Sequence, residues 1–211
     1  MPRSTKAADP LSTALASGAM ARLVRYFAVN PESRPHVRAL ERATGLGPRS
    51  LQTELDRLSS LGVLVREEDG ARVRYRLDET HPVWPHLRQL VRHLSRPADV
   101  LPFALAEVRG IDAAFIFGSH AKGAARPDSD VDLFVVGDAV DEAELLRHTL
   151  ETGVLLDREV NVVTVGRAEL AERLAAGRHF FREAVDGAKQ WVAGSQAALS
   201  FLPGTTAEVS G

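Results

Sequence analysis

The chain contains no cysteine. This absence excludes a disulfide framework, a zinc site with thiolate ligands and a thiol-based metal sensor. Aromatic residues make up only 6% of the sequence, and no apolar run approaches the roughly 18 residues that a membrane span requires. The first residues also lack the charged and apolar stretches of a secretion signal. We therefore expect a cytoplasmic protein with no membrane partner.

Length and composition predict two small domains. The chain has 211 residues, whereas single domains run most often to about 100–150 residues. Hydrophobic residues account for 45% and charged residues for 26%, as in ordinary globular proteins. The first ten residues and residues 194–211 are small and polar, so we interpret both as tails.

The small net charge of −2 conceals two halves of opposite sign. Residues 1–96 carry 16 Lys and Arg against 10 Asp and Glu, a net +6, and residues 97–211 carry 10 against 18, a net −8. A basic half favours a polyanion such as DNA, whereas an acidic half repels it unless divalent cations intervene.

Three helices are predicted in the basic half. The first helix ends before Pro31. Its apolar residues recur at helical spacing: Met20, Leu23, Val24 and Phe27. We expect Ser33 to cap a second helix that ends at Thr44 and Gly45. After a tight turn at residues 45–47, Pro48 opens a third helix with an apolar face of Leu51, Leu55 and Leu58.

A β-hairpin is predicted directly after these helices. Residues 63–65 form a short strand, Glu68 to Gly70 form a turn, and residues 72–77 alternate strictly between basic and apolar side chains. The arginines of the second strand therefore share one face, turned to solvent or phosphate: Arg72, Arg74 and Arg76.

Helix, turn, helix and hairpin in this order predict a winged helix-turn-helix domain at residues 11–80 that binds double-stranded DNA. Residues 11–80 resemble the winged-helix domains of bacterial regulators of the ArsR and MarR type. The arginines of the hairpin are expected to contact the DNA backbone. The base-reading residues are expected on the third helix: Arg49, Ser50, Gln52, Thr53 and Arg57. A solvated basic face, or a domain for protein contacts, is the alternative. Residues 81–108 are predicted as a helical linker whose apolar side is a candidate homodimer seam.

The acidic half contains a candidate phosphate-binding turn. Residues 113–117 form an apolar run that ends abruptly at Gly118 and Ser119, as expected for a buried strand leading into a helix. Glycine allows a phosphate to approach the backbone, and serine adds a hydroxyl donor. Lys122 is a further candidate nucleotide contact, because its cation can neutralise phosphate charge.

Two aspartates begin the next predicted strand. Asp130 and Asp132 are two residues apart, so they point to the same side of an extended chain. Two adjacent carboxylates repel each other, and cations between them relieve that repulsion. We therefore expect Asp130 and Asp132 to bind Mg²⁺ or Mn²⁺ together with a nucleoside triphosphate, with ATP as the first candidate.

The string FGSHAKGAARPDSDVDLFVV at residues 117–136 resembles the signature of the DNA polymerase beta superfamily. Within that superfamily it is most similar to the minimal nucleotidyltransferases of prokaryotic toxin–antitoxin and regulator proteins. The resemblance implies a nucleotidyltransferase-like domain at residues 109–193, with a mixed sheet and flanking helices. It places Gly118 and Ser119 on the triphosphate, Asp130 and Asp132 on the metals, and a third carboxylate on a later strand.

Asparagine occupies the position of that third carboxylate. The later strand covers residues 158–165, and the family's third aspartate corresponds to Asn161. An amide oxygen can bind a metal, but it cannot accept a proton from an attacking hydroxyl. Glu159, on the same predicted strand face, and Asp157, at the strand's start, are candidate replacements.

The remaining segments are predicted as scaffold around the sheet. We expect a helix at residues 141–150 that packs on the sheet, another at residues 168–176, and an edge strand at residues 189–192. The leucines of the first helix are predicted to face the sheet: Leu145, Leu146 and Leu150. The late aromatic residues are interpreted as core, with a base-stacking surface as the alternative: Phe180, Phe181 and Trp191.

The sequence thus predicts an α+β protein with two functional hypotheses. The first is a DNA-binding transcriptional regulator whose nucleotidyltransferase-like domain binds Mg-nucleotide with weakened catalysis. The second is an active toxin–antitoxin-type enzyme that transfers AMP to a hydroxyl of a protein acceptor or small molecule. A third reading is an interaction protein with both sites silent.

Overall fold

A computed structural model describes residues 9–70, 72–126 and 129–200, which divide into two compact units between Phe103 and Ala104. The α+β class is confirmed, with one two-stranded and one four-stranded mixed sheet. No helix of these described ranges is both long and apolar enough to cross a membrane.

Five helices and a hairpin make up the first unit within its described residues. They are α1 (Pro10–Ala14), α2 (Gly18–Val29), α3 (Val37–Thr44), α4 (Pro48–Ser60), β1 (Leu64–Asp69), β2 (Arg72–Leu77) and α5 (Trp84–Leu94). A further helix, α6 (Pro97–Leu105), contains the division between the units. The four apolar residues predicted for the first helix are all buried in α2, as expected for an amphipathic helix that faces the core.

Helix α3 begins at Val37, so the prediction that Ser33 caps it is wrong. The backbone N–H of Tyr75 donates to the carbonyl of Pro35 at 3.0 Å, and His36 forms an isolated β-bridge with Arg74. Residues 35 and 36 therefore pair with β2 in extended conformation and cannot enter the helix. Gly45 ends α3 as predicted, with a left-handed φ of 63°.

Helix α4 begins at Pro48 and buries its predicted leucines. It also buries Glu54, whose carboxylate accepts hydrogen bonds from the Ser17 hydroxyl at 2.6 Å and from Arg57 at 3.0 Å. Because a buried charge without partners is costly, these bonds hold α4 against the start of α2.

The hairpin pairs Leu64 with Leu77 and Asp69 with Arg72. Tyr75 and Leu77 are buried, which confirms the predicted alternation along β2. Strand β1 extends through Glu68 and Asp69, so the prediction that these two residues form the turn is wrong: the ladder continues closer to Gly70.

The predicted linker differs from the observed packing. Helix α5 packs against α1 and α2 of the first unit and buries Trp84 and Val91. Residues 81–103 therefore belong to the first compact unit, because the apolar face of α5 has partners there.

A four-stranded mixed sheet forms the frame of the second unit. Its strands are β3 (Ala113–Ile116), β4 (Val131–Val136), β5 (Val160–Val165) and β6 (Gln190–Ala193), in the order β5-β4-β3-β6. Strand β4 is parallel to β5, whereas β3 is antiparallel to β4 and to β6. The helices are α7 (Gly118–Ala121), α8 (Glu142–Leu156), α9 (Arg167–Ala175) and α10 (His179–Asp186), and a short 3-10 helix follows at Gln196–Leu199.

The core on one sheet face is aromatic. The rings of Phe115 and Phe134 stack with centroids 5.2 Å apart, and Phe181 of α10 packs on Phe134 at 6.0 Å. Leu199 is fully buried in the same cluster, so the prediction of a tail from residue 194 is wrong at its start. Residues 201–211 lie outside the described ranges.

Helix α8 departs from its predicted packing. Leu145 is buried, but Leu146 and Leu150 are 59% and 61% exposed, so the prediction that they face the sheet is wrong. The inward face consists instead of Leu145, Thr149, Thr152 and Leu156, at helical spacing. At about 100° per residue, the side chains at 146 and 150 turn away from that face.

Candidate nucleotide site and candidate DNA-binding face

The Gly118 turn lies against the carboxylate of Asp132. Gly118 follows β3 with a φ of +68°, and a Cβ built on it would lie 2.5 Å from Oδ2 of Asp132. The positive φ favours glycine here, and an added Cβ would also have to displace the Asp132 carboxylate, which is the far end of a flexible side chain. The structure brings the predicted turn and one predicted metal ligand into direct contact, with Ser119 half-buried beside them.

Asp130 and Asp132 are electrostatically coupled. Asp132 is half-buried in β4, and Asp130 is exposed immediately before that strand. Partial burial raises the pKa of Asp132, and the negative charge of Asp130 raises it further, while His120 acts in the opposite direction. The site thus carries a carboxylate whose ionised form is disfavoured in the absence of cations.

Asn161 lies beside Asp132 in the sheet. The parallel pairing of β4 and β5 sets Asp132 opposite Asn161, and residues opposite each other in a ladder share a sheet face. The side chain of Asn161 is exposed. This register agrees with the position that the sequence resemblance implies for the third carboxylate, now occupied by an amide.

The two candidate replacements lie outside the strand. Glu159 precedes β5, so its predicted place on that strand is wrong; its carbonyl accepts from the Val131 N–H at 2.8 Å, and its side chain is exposed next to the start of β4. Asp157 is the C-terminal cap of α8, with a φ of 56°. Among the described residues, no three His, Asp or Glu side chains group closely enough to hold a metal ion.

Several hydrogen bonds connect the described residues between the turn and the aspartates. A ring nitrogen of His120 lies 3.1 Å from the Ser129 carbonyl, and Arg158 donates to the same carbonyl at 3.3 Å. The Arg126 N–H donates to the Ser129 hydroxyl at 2.8 Å. Sequence reasoning missed His120, whose one available signal is its place directly after Ser119. Residues 127 and 128 lie outside the described ranges.

Lys122 forms an ion pair with α10. Its Nζ lies 3.1 Å from Oε1 of Glu183, and this cation lowers the pKa of the Glu183 carboxyl. Lys122 was predicted to contact phosphate, but the structure places its charge on a carboxylate.

Residues 103–180 match the family model described as Polymerase beta, Nucleotidyltransferase. The match supports the nucleotidyltransferase superfamily for the second unit and a nucleotidyltransferase-type function. The matched residues include the Gly118 turn, both aspartates and Asn161. No curated protein matches the chain.

The outward face of α4 presents all five predicted base-reading residues to solvent. Three of them have local partners: the amide of Gln52 donates to Asp56, the hydroxyl of Thr53 donates to the Arg49 carbonyl, and Arg57 donates to Glu54. The guanidinium of Arg49 has no ion pair within the described part of the chain.

Two of the three arginines of β2 are paired with carboxylates of β1. Nε of Arg74 lies 2.6 Å from Asp69, and Nε of Arg76 lies 2.6 Å from Glu67. These two side chains are still partly exposed, at 40% and 37%, so the predicted face toward solvent carries ion pairs with carboxylates of β1. Arg72 is exposed and forms no ion pair with any residue that the structure describes.

We expect Gly118→Ala to destabilise the protein by about 1–3 kcal/mol, because alanine in this backbone region is strained and its Cβ meets Asp132. Gly123→Ala is the matched control: Gly123 has a φ of +69° but no atom within 4 Å of a built Cβ. Chemical denaturation measures both variants. Equal destabilisation by the two would contradict a specific contact between Gly118 and Asp132.

We expect Asp132→Asn to melt a few degrees above the native protein at neutral pH in a chelating buffer. The folded-state pKa of Asp132 is raised, so ionisation of this group destabilises the fold as the pH rises above its ordinary value of 3.8. Asparagine removes that ionisation, and the difference should shrink toward acid pH. Asp130→Asn, which removes only the repulsion, should have a smaller effect. A lower melting temperature of Asp132→Asn at pH 7 would refute this electrostatic account.

Proposed function

We propose that the chain is a DNA-binding transcriptional regulator whose second unit binds a nucleoside triphosphate, ATP, with Mg²⁺ or Mn²⁺. The observation that carries the nucleotide part is the position of the Asp132 carboxylate, whose Oδ2 lies 2.5 Å from where a Cβ on Gly118 would stand. It puts a candidate cation ligand next to a glycine turn that has no side chain to obstruct a phosphate.

The donor set fits a divalent cation. Asp130 and Asp132 repel each other, and the raised pKa of Asp132 reflects that repulsion together with burial. Carboxylate oxygens are the ligands that Mg²⁺ prefers, and Asn161 adds an amide oxygen on the same face. When bound, the metal neutralises charge on the triphosphate. Asp130 and Asp132 would hold it, while Gly118 and Ser119 receive the phosphates.

Asn161 favours binding over turnover. In nucleotidyl transfer, an acceptor hydroxyl oxygen forms a bond to the α-phosphorus, the bond from that phosphorus to pyrophosphate breaks, and the hydroxyl proton passes to a base. The amide of Asn161 cannot take that proton. The proposal is therefore a nucleotide-binding domain with weakened catalysis, in which ligand occupancy regulates the chain.

An active transferase is the second candidate, and the position of Glu159 favours it. Glu159 directly precedes β5, and its carbonyl accepts a hydrogen bond from the N–H of Val131, the residue after Asp130. Its exposed carboxylate is available to accept the proton of a hydroxyl on a protein or small-molecule acceptor. This candidate corresponds to AMP transfer of the toxin–antitoxin type.

Several features of the first unit support the DNA-binding part. Helices α3 and α4 are joined by the Gly45 turn, α4 presents an exposed polar face, and a hairpin follows. The pairing of Pro35 and His36 with β2 adds a third extended segment to that hairpin. We propose that α4 enters a major groove and the hairpin contacts the backbone. A homodimer on paired half-sites is the form that we expect to bind.

We expect the double variant Asp130→Asn/Asp132→Asn to lose at least tenfold in affinity for a non-hydrolysable ATP analogue with Mg²⁺, because it removes the carboxylates that hold the cation. The matched control is Glu142→Gln/Glu172→Gln, which removes two exposed carboxylates on α8 and α9. Titration calorimetry with Mg²⁺ and with chelator measures each protein.

Incubation with labelled ATP, Mn²⁺ and a cell lysate separates the two candidates. Weak labelling by the native protein and stronger labelling by Asn161→Asp would support the regulator with weakened catalysis. Strong labelling by the native protein that Glu159→Gln abolishes would support the transferase. Unchanged analogue affinity in the double aspartate variant would refute the nucleotide site itself.

We expect Arg49→Ala/Arg72→Ala to weaken binding to duplex DNA and to flatten its salt dependence by about two units of log K against log salt concentration, since each phosphate contact contributes about 0.9. Arg74→Ala/Arg76→Ala removes the same charge, but both of these arginines already pair with carboxylates, so the flattening should be smaller. Binding assays at several salt concentrations measure the slopes. Identical slopes in native protein and Arg49→Ala/Arg72→Ala would contradict this interface.

A further inference from the structure

One face of α10 borders the Gly118 turn. Phe180 and Glu183 are three residues apart on this helix, so they lie on the same side. Glu183 pairs with Lys122, just after α7, and the Phe180 ring packs edge-on against Phe117 with centroids 5.8 Å apart. Both contacts reach the segment that contains the turn, so this face of α10 adjoins it.

The contact with Phe117 also connects Phe180 to the strands that carry Asp132 and Asn161. Phe117 directly precedes Gly118, and its N–H donates to the Asp132 carbonyl at 3.0 Å. Its ring also packs on Phe134 at 6.0 Å, and Phe134 shares a face of β4 with Asp132 by the two-residue period. Phe180 therefore stands on the sheet side that carries Asp132 and Asn161, next to the phosphate turn.

Phe180 is the exposed member of this aromatic cluster. It is 45% exposed, whereas its neighbour Phe181 is 8% exposed and belongs to the core. A single exposed apolar side chain is ordinary on a protein surface. The position of this one is the informative feature: a planar apolar ring at the border of a charged turn offers a surface for a flat heteroaromatic group.

We propose that the base of the bound nucleotide stacks on Phe180 and that the ligand is a purine nucleoside triphosphate. This inference rests on the proposed nucleotide-binding function and adds the base end of the site. The triphosphate end lies at Gly118 and Ser119, and the sugar bridges toward α10. Purines are favoured because a larger ring system covers more of the phenylalanine ring. The rings of Phe117 and Phe181 make T-shaped contacts with the Phe180 ring, with centroids 5.8 and 5.3 Å away.

The test compares two probes that share phosphates and differ in the base: ATP and inorganic tripolyphosphate, each with Mg²⁺. We expect Phe180→Ala to weaken ATP binding by about 5- to 150-fold, the range of one base stacked on an aromatic ring. Tripolyphosphate binding should not change. Leu150→Ala, at an exposed apolar position on α8, is the matched control and should bind both probes as the native protein does.

Phe180→Trp supplies a variant that retains the stacking surface. It should bind ATP at least as tightly as the native protein, and its added indole fluorescence should be quenched by ATP and not by tripolyphosphate. Melting curves of all variants confirm folding. Native protein should also prefer ATP and GTP over CTP and UTP, and this preference should disappear in Phe180→Ala.

The outcomes separate the two proposals. Equal ATP affinity of native protein and Phe180→Ala would overturn the stacking proposal and leave the nucleotide site standing. Equal native affinities for ATP and tripolyphosphate would do the same. Native protein that binds neither probe would overturn the proposed function together with this inference.

Discussion

The contact between the Asp132 carboxylate and the backbone of Gly118 is the constraint on which the second unit depends. The positive φ of residue 118 favours glycine, and a side chain there would have to displace this carboxylate. Strand pairing extends the constraint: Phe117 bonds to the Asp132 backbone, and β5 sets Asn161 opposite Asp132. Backbone hydrogen bonds of the sheet thus connect the Gly118 turn, Asp132 and Asn161. A one-residue slip of β5 would turn Asn161 to the other face of the sheet.

Local patterns predicted the segments whose structure is determined by their own residues. The helical period in α2 and the leucines of α4 placed two helices, because burial of an apolar stripe does not require knowledge of the partner. The alternation at residues 72–77 and the sequence string at residues 117–136 were also sufficient to predict β2 and β4. The structure places the Asp132 carboxylate beside the Gly118 turn and Asn161 opposite Asp132, whereas the ligand roles of these residues stay predictions.

Long-range partners account for what was mispredicted. Ser33 looked like a helix cap, but pairing of Pro35 and His36 with β2, forty residues later along the chain, delays the start of α3. The ion pair of Lys122 with Glu183 was likewise not predicted, whereas the phosphate contact of Lys122 stays a prediction. On α8, Leu145, Leu146 and Leu150 were all predicted to face the sheet, but only Leu145 is buried. No local feature of the sequence distinguishes these cases, since each depends on residues brought close by the fold.

The ion pairs inside the hairpin have a consequence for the DNA contact that we propose. Asp69 and Glu67 occupy the places on Arg74 and Arg76 that a phosphate would take. In the DNA binding that we propose, these two carboxylates compete with the DNA phosphates for the guanidinium groups. The exchange of a carboxylate for a phosphate on each guanidinium reduces what these two arginines add to the proposed interface, compared with two arginines that have no partner.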